Sequence, residues 1–226
     1  VLEAVQSVRG PDLILIMSHL IGKRPSDGLP VAWHQDNTYW HSVQGTDVAT
    51  VWLAIDDTDR TNGCMQVIPC THEGYPELDK VSTGGGDLLG LTVEITPAME
   101  SAAVCLEMNA GSLSLHDSFV LHGSESNTSG RRRAAYTMRY ANARTENVAT
   151  AAHWVPVYLV RGEADNPDYI DIRPGKPLPE PISCKHSSRC SCLPLLPWPR
   201  TGRPISSSCS PTTSAMATSV VTATRS

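Results

Sequence analysis

No run of 18 consecutive apolar residues occurs in this 226-residue chain, which excludes an ordinary transmembrane helix. A starting methionine is absent too. The opening Val1-Leu2-Glu3-Ala4-Val5 has neither the basic start nor the apolar stretch of a secretory signal, so the expected location is cytoplasmic. Clustered Lys and Arg are scarce. The one basic cluster before the tail is Arg131-Arg132-Arg133, so a phosphate-binding surface for nucleic acid is not expected. Acidic residues are missing altogether from 181–226, where five basic residues give +5, whereas 1–180 hold 13 Lys and Arg against 23 Asp and Glu, a net −10. The overall −5 hides that split. Seven cysteines, an odd number without a secretory signal, fit a reducing compartment better than a disulfide framework.

What is present reads as mainly β. Val48-Ala49-Thr50-Val51-Trp52-Leu53-Ala54-Ile55 is rich in β-branched and aromatic residues and stops at Asp56-Asp57-Thr58-Asp59, a turn signal. Gly111–Leu115 alternates polar and apolar, Ala135–Tyr140 is a further strand candidate, and Asp12–Met17 holds a short apolar run suited to a buried strand. Turns are signalled at Pro25–Gly28, Thr61-Asn62-Gly63 and Thr83–Asp87. Leu78–Glu94, with its three consecutive glycines, reads as a mobile loop over the site. Short strands at close spacing predict a sandwich or jelly roll over 1–180. Beyond Pro181, 11 Ser, six Thr and six Pro make up half of 46 residues. That composition predicts a disordered tail over 181–226.

His34-Gln35-Asp36 is the first metal-ligand candidate. On a strand, residues i and i+2 share a face, so an imidazole and a carboxylate can converge on one ion. A third ligand must come from far along the chain, with His72, His116 and His122 as candidates. One carboxylate and two histidines form the facial triad of non-haem Fe(II) oxygenases, which leaves positions open for co-substrate and O2. Eleven residues after His122 stands Arg133, whose guanidinium can grip a dicarboxylate co-substrate.

From Gly10 to Tyr140 the chain resembles the phytanoyl-CoA dioxygenase family of Fe(II)/2-oxoglutarate-dependent oxygenases. The matching pieces, in family order, are Trp33-His34-Gln35-Asp36, Val51–Ile55, Asn62–Pro69 with Thr71-His72, and Leu121-His122-Gly123-Ser124 with Asn127, Ser129 and Arg133. The resemblance implies a double-stranded β-helix (jelly roll, cupin-like) with few helices. It implies that His34, Asp36 and His122 bind Fe(II), and that Arg133, supported by Ser124, pairs with the distal carboxylate of 2-oxoglutarate. Gln35 and Trp52 would line the same pocket. Asp36 also bears on reaction type, because related halogenases lack this carboxylate; its presence favours hydroxylation of a small organic or acyl substrate by O2, with succinate and CO2 as co-products. Two departures stand out. Cys70 occupies a place where the family usually has glycine, and the family's N-terminal helical region is missing, so the domain is expected to be N-terminally incomplete.

Several of these residues have simpler readings. His116 lacks the Gly-Ser that follows His122 and the spacing to an arginine, and reads as structural. His72 reads as a loop hydrogen-bonder, and Arg131 and Arg132 as solvated. Trp52 suits an ordinary core position, while Tyr39 and Trp40 either touch substrate or pack. Cys184, Cys190 and Cys192 with His186 imitate a zinc cluster at a spacing that is not a standard finger. The oxygenase reading therefore competes with a truncated inactive relative and with a non-catalytic jelly-roll binding module. A small-molecule substrate is expected, with no nucleic-acid or membrane partner.

Overall fold

The computed structural model describes residues 1–26, 28–39, 48–145 and 156–177; the tail over 181–226 and Trp40 lie outside the described residues. Twelve strands follow one another: β1 (Leu13–Lys23), β2 (Val31–His34), β3 (Val48–Ala54), β4 (Met65–Ile68), β5 (Lys80–Ser82), β6 (Leu91–Val93), β7 (Val104–Leu106), β8 (Leu113–Asp117), β9 (Leu121–Ser124), β10 (Arg133–Asn142), β11 (Tyr158–Arg161) and β12 (Ile170–Asp171). Two helices, α1 (Leu2–Arg9) and α2 (Pro97–Ser101), complete the described elements together with two short 3₁₀ turns. No described helix is long and apolar enough to cross a membrane.

The strands form a six-stranded sheet in the order β12-β11-β1-β10-β3-β8, a four-stranded sheet β2-β9-β4-β7, and the pair β5-β6. The fold is mainly β and cupin-like, as the sequence predicts. The four strand candidates read from the sequence overlap β1, β3, β8 and β10. Leu78–Glu94 differs from expectation: it contains the antiparallel hairpin β5-β6, and Asp87 shapes its turn by accepting from the backbone of Leu89 (2.7 Å) and Gly90 (2.8 Å). An aspartate can hold a glycine-rich tip through its side chain, a role that composition alone does not reveal.

Alternation divides the large sheet into two faces. On the outer face Leu13, Val51, Leu115, Met138 and Tyr140 pack with Val5 of α1. Glu3 in the first turn of α1 and Arg9 in the last suit the helix dipole. Arg9 latches the helix to the sheet by donating to Asp117 Oδ2 (2.8 Å) and the Val48 carbonyl (3.1 Å). Between the sheets Trp52, Ala54, Met65, Met108 and Ala135 make an apolar cluster. A second apolar cluster on that inner face holds Ile14, Val48 and Ala141, and the band between the two clusters is polar. The ladder aligns Arg139, Thr50 and His116 across β10, β3 and β8, and His19 with Thr137 across β1 and β10, and Thr50, Thr137 and Arg139 are wholly buried. Such a layer is costly unless its members satisfy one another or a ligand.

Candidate functional site

His34 ends β2, and Asp36 starts a 3₁₀ turn that runs to Tyr39. The carboxylate is therefore presented by a turn rather than by the continuing strand that the His-x-Asp spacing suggests. His122 faces the pair from β9, since His34 and His122 are direct partners in the β2–β9 ladder. One ligand-capable atom from each of His34, Asp36 and His122 lies within 4.8 Å of the others, and all three residues are buried. The imidazole centroids of His34 and His122 are 4.0 Å apart.

Both imidazoles are oriented in the same way. Nδ1 of His34 is 2.8 Å from the Ala32 carbonyl, and Nδ1 of His122 is 2.9 Å from the Val120 carbonyl. A carbonyl can only accept, so each Nδ1 carries a proton and Nε2 is the nitrogen available to a metal. This backbone support is the arrangement that fixes metal-ligating histidines. Burial raises the Asp36 carboxyl well above its ordinary range, opposed by the Arg139 guanidinium and by the Thr50 hydroxyl. Arg139 Nη2 lies 3.9 Å from Asp36 Oδ1. Two neutral nitrogens and a buried carboxylate oxygen within a few ångströms form a donor set that suits a divalent cation, whose charge would offset the cost of burying the carboxylate.

Arg133 and Ser124 meet beyond the histidines. Arg133 is 2% exposed. Its Nε and Nη2 donate to the Gly63 carbonyl at 3.0 and 2.8 Å, and Nη2 reaches the Ser124 hydroxyl at 3.5 Å. The guanidinium lies over the Trp52 ring, 5.4 Å from the centroid. Burial pushes Arg133 down to about 10. Gly63 is needed there: its φ is 75°, and a Cβ would meet the Glu125 carbonyl at 2.4 Å. The turn before it is fixed by Asp59 and Asn62, each accepting from the other's backbone N–H.

Gln35 is 1% exposed and uses its whole amide on the backbone. It donates to the carbonyls of Pro76 (2.9 Å) and Phe119 (2.8 Å) and accepts from Leu78 N (3.0 Å). Tyr39 is half-buried and edge-on to His34, with centroids 6.2 Å apart, and burial raises its phenol. His116 stacks 4.7 Å from His122 without joining the three-residue cluster; burial, the His122 ring and Arg139 hold it well below the ordinary histidine value. Arg131 and Arg132 are exposed and pair with Asp59 and Asp56. Sequence reasoning missed Arg139, Thr50, His19 and Lys23. No local pattern flags them, because each acquires meaning from a neighbouring strand.

Comparison with known proteins follows the same lines. A family profile described as phytanoyl-CoA dioxygenase (PhyH) matches residues 1–135. The chain is 26% identical over 181 residues to the peroxisomal phytanoyl-CoA dioxygenase of Bos taurus, covering 76% of this chain and 50% of that protein. It is 36% identical over 124 residues to a phytanoyl-CoA dioxygenase domain-containing protein 1 homolog of Dictyostelium discoideum, covering 53% and 43%. The chain thus spans about half the length of the curated relatives it matches. Among solved structures it resembles the non-heme monooxygenase ThoJ in its apo form, with a TM-score of 0.62 and 29% identity over 75% of this chain and 60% of that one. It also resembles EvdO2 from Micromonospora carbonacea var. aurantiaca complexed with 2-oxoglutarate, with a TM-score of 0.50 and 25% identity over 61% and 55%.

Proposed function

Because the chain belongs to the phytanoyl-CoA dioxygenase family, we propose that it is an Fe(II)- and 2-oxoglutarate-dependent dioxygenase that hydroxylates a C–H bond of a small organic substrate and releases succinate and CO2. The observation that carries this reading is the buried cluster of His34, Asp36 and His122, with both imidazoles turned by nearby backbone carbonyls to offer Nε2. Fe(II) bound there would supply O2 activation and the oxidative decarboxylation of the co-substrate.

The chain's own residues divide the remaining work. His34, Asp36 and His122 would hold the ion, and three ligands leave coordination positions for the co-substrate and O2. Ser124 lies one same-face step beyond His122 on β9, roughly 7 Å along the strand, which suits a short diacid held at both ends. Its far carboxylate would meet the Ser124 hydroxyl and the Nη1 end of Arg133, since the Nε edge is engaged by Gly63. Trp52 supports the guanidinium from its ring face. Gln35 holds segment 76–78 beside the metal turn, and Tyr39 stands near His34 as a substrate-side wall. The surrounding burial keeps water from the reacting atoms.

Anaerobic addition of Fe(II) and 2-oxoglutarate should give a weak visible charge-transfer band. The band should vanish in His34→Ala and Asp36→Ala and require much more 2-oxoglutarate in Arg133→Gln. A wild-type protein without the band, or with a band indifferent to His34→Ala, would overturn the reading.

A further inference from the structure

We propose that Lys23 is a positioning residue of the co-substrate pocket: with Arg133 it makes the carboxylate-binding end a two-cation site that selects 2-oxo diacids over 2-oxo monoacids. The inference rests on the reading of Arg133 given above. Lys23 is the last residue of β1 and the direct partner of Arg133 in the β1–β10 ladder, so both side chains project from the same face of the sheet. They are 3% and 2% exposed. Neither forms an ion pair with a carboxylate among the described residues. Buried charges are ordinarily paired or bound to a counter-ion, and two adjacent cations compound the cost. An anion arriving at the Arg133 guanidinium would offset that cost, drawing on the Lys23 charge as well.

The ammonium is also tied to the residues that build the pocket. It donates to the carbonyls of Ser124 (3.2 Å) and Glu125, which fixes the end of β9 that carries the Ser124 hydroxyl. A Cβ on Gly63 would lie 3.2 Å from Lys23 Nζ, while the Gly63 carbonyl takes both Arg133 bonds. The lysine and the arginine thus flank one peptide. Burial first, then the Arg133 charge, push Lys23 down to about 7, against Glu125 and Cys64. Cys64 itself is held up at about 12. Arg133, Glu125 and Cys64 are the charged and titratable groups that face the ammonium from β10, the end of β9 and the start of β4.

The test compares 2-oxoglutarate with 2-oxopentanoate, which has the same chelating end and no distal carboxylate. Both are titrated anaerobically into the Fe(II)-loaded full chain, and affinity is read from the visible band. Wild type should favour 2-oxoglutarate, and Lys23→Met should lose about tenfold or more of that preference, the scale of one charge–charge interaction in a partly dry site. Affinity for 2-oxopentanoate should change little. A lysine that only braced Ser124 would add nothing once that hydroxyl is gone, so Lys23→Met is repeated in Ser124→Ala; an unchanged preference in either background overturns the inference. If Lys23→Met does not fold, wild type is titrated from pH 6 to 9. Above about pH 7 the free site must take up a proton to bind the diacid, so the preference should fall with rising pH; a flat preference overturns the inference. Wild type that gives no band with either acid overturns the co-substrate reading and this inference with it.

Discussion

Residues of the proposed site fall into two kinds, by what they offer and by what they hold. His34, Asp36 and His122 belong to the first kind and were legible, because a His-x-Asp triplet and a distant histidine followed by Gly-Ser and an arginine form a pattern along the chain. Arg139, Lys23 and His19 were not legible. Each is a single polar residue inside a strand, and its partners lie far away in sequence: His19 and Asp36 for Arg139, Arg139 for His19, Ser124 and Glu125 for Lys23. His19 shows what this costs. Its Nδ1 lies 2.9 Å from Arg139 Nη1, and burial followed by the Arg139 charge pushes it down to about 4 from an ordinary 6.5. Between those values the unfolded chain binds a proton that the folded one refuses. This stability contribution is complete above pH 6.5 and is lost as pH falls from 6.5 towards 4. His19→Gln should flatten that part of the stability profile, measured by urea denaturation at successive pH values. Gln35 belongs to the second kind. Gln35→Ala strands the backbone of Pro76, Leu78 and Phe119 and should cost about 1–3 kcal/mol, with a raised KM for the primary substrate in steady-state assays.

At the scale of elements, the strands were readable because alternation and β-branched content survive in any context, whereas turns depend on individual side chains. The His-x-Asp spacing predicted a strand through Asp36, but the backbone leaves β2 at His34 and coils into a 3₁₀ turn. The β5-β6 hairpin was hidden by its glycines. Cys70 is the reverse case, where a sequence departure shows its physical meaning. Its φ of 64° places a side chain in left-handed backbone, which suits the glycine that the family usually has there. Thr71 beside it bonds the Ile68 carbonyl and Leu121 N at 2.8 and 2.9 Å, so the turn is held despite the strain. Cys70→Gly should stabilise the protein by about 0.5–1 kcal/mol, the left-handed penalty less the entropy glycine adds to the unfolded chain, seen as a higher Tm. Gly63→Ala should do the opposite. Its Cβ meets the Glu125 carbonyl, and the displaced peptide should cost about 2 kcal/mol or more and weaken 2-oxoglutarate binding in the same titration.

Across the whole molecule, the large sheet is asymmetric: apolar under α1, and on the opposite face a buried polar band lies between apolar clusters. Val5 is wholly buried on the helix side, so Val5→Ala should lower the urea midpoint by about 1–2 kcal/mol of stability with an unchanged m-value. It should leave Fe(II) and 2-oxoglutarate affinity alone, because α1 touches only the outer face. The proposed metal ligands depend on a much smaller part of the fold. Each imidazole is oriented by the backbone carbonyl two residues before it, Ala32 for His34 and Val120 for His122. Such a donor set makes the same offer to every first-row divalent ion, and the Irving–Williams order then ranks nickel and copper above iron. The ion carried by protein purified from cells should therefore report the metal pools of those cells, with iron occupancy set by supply rather than by preference.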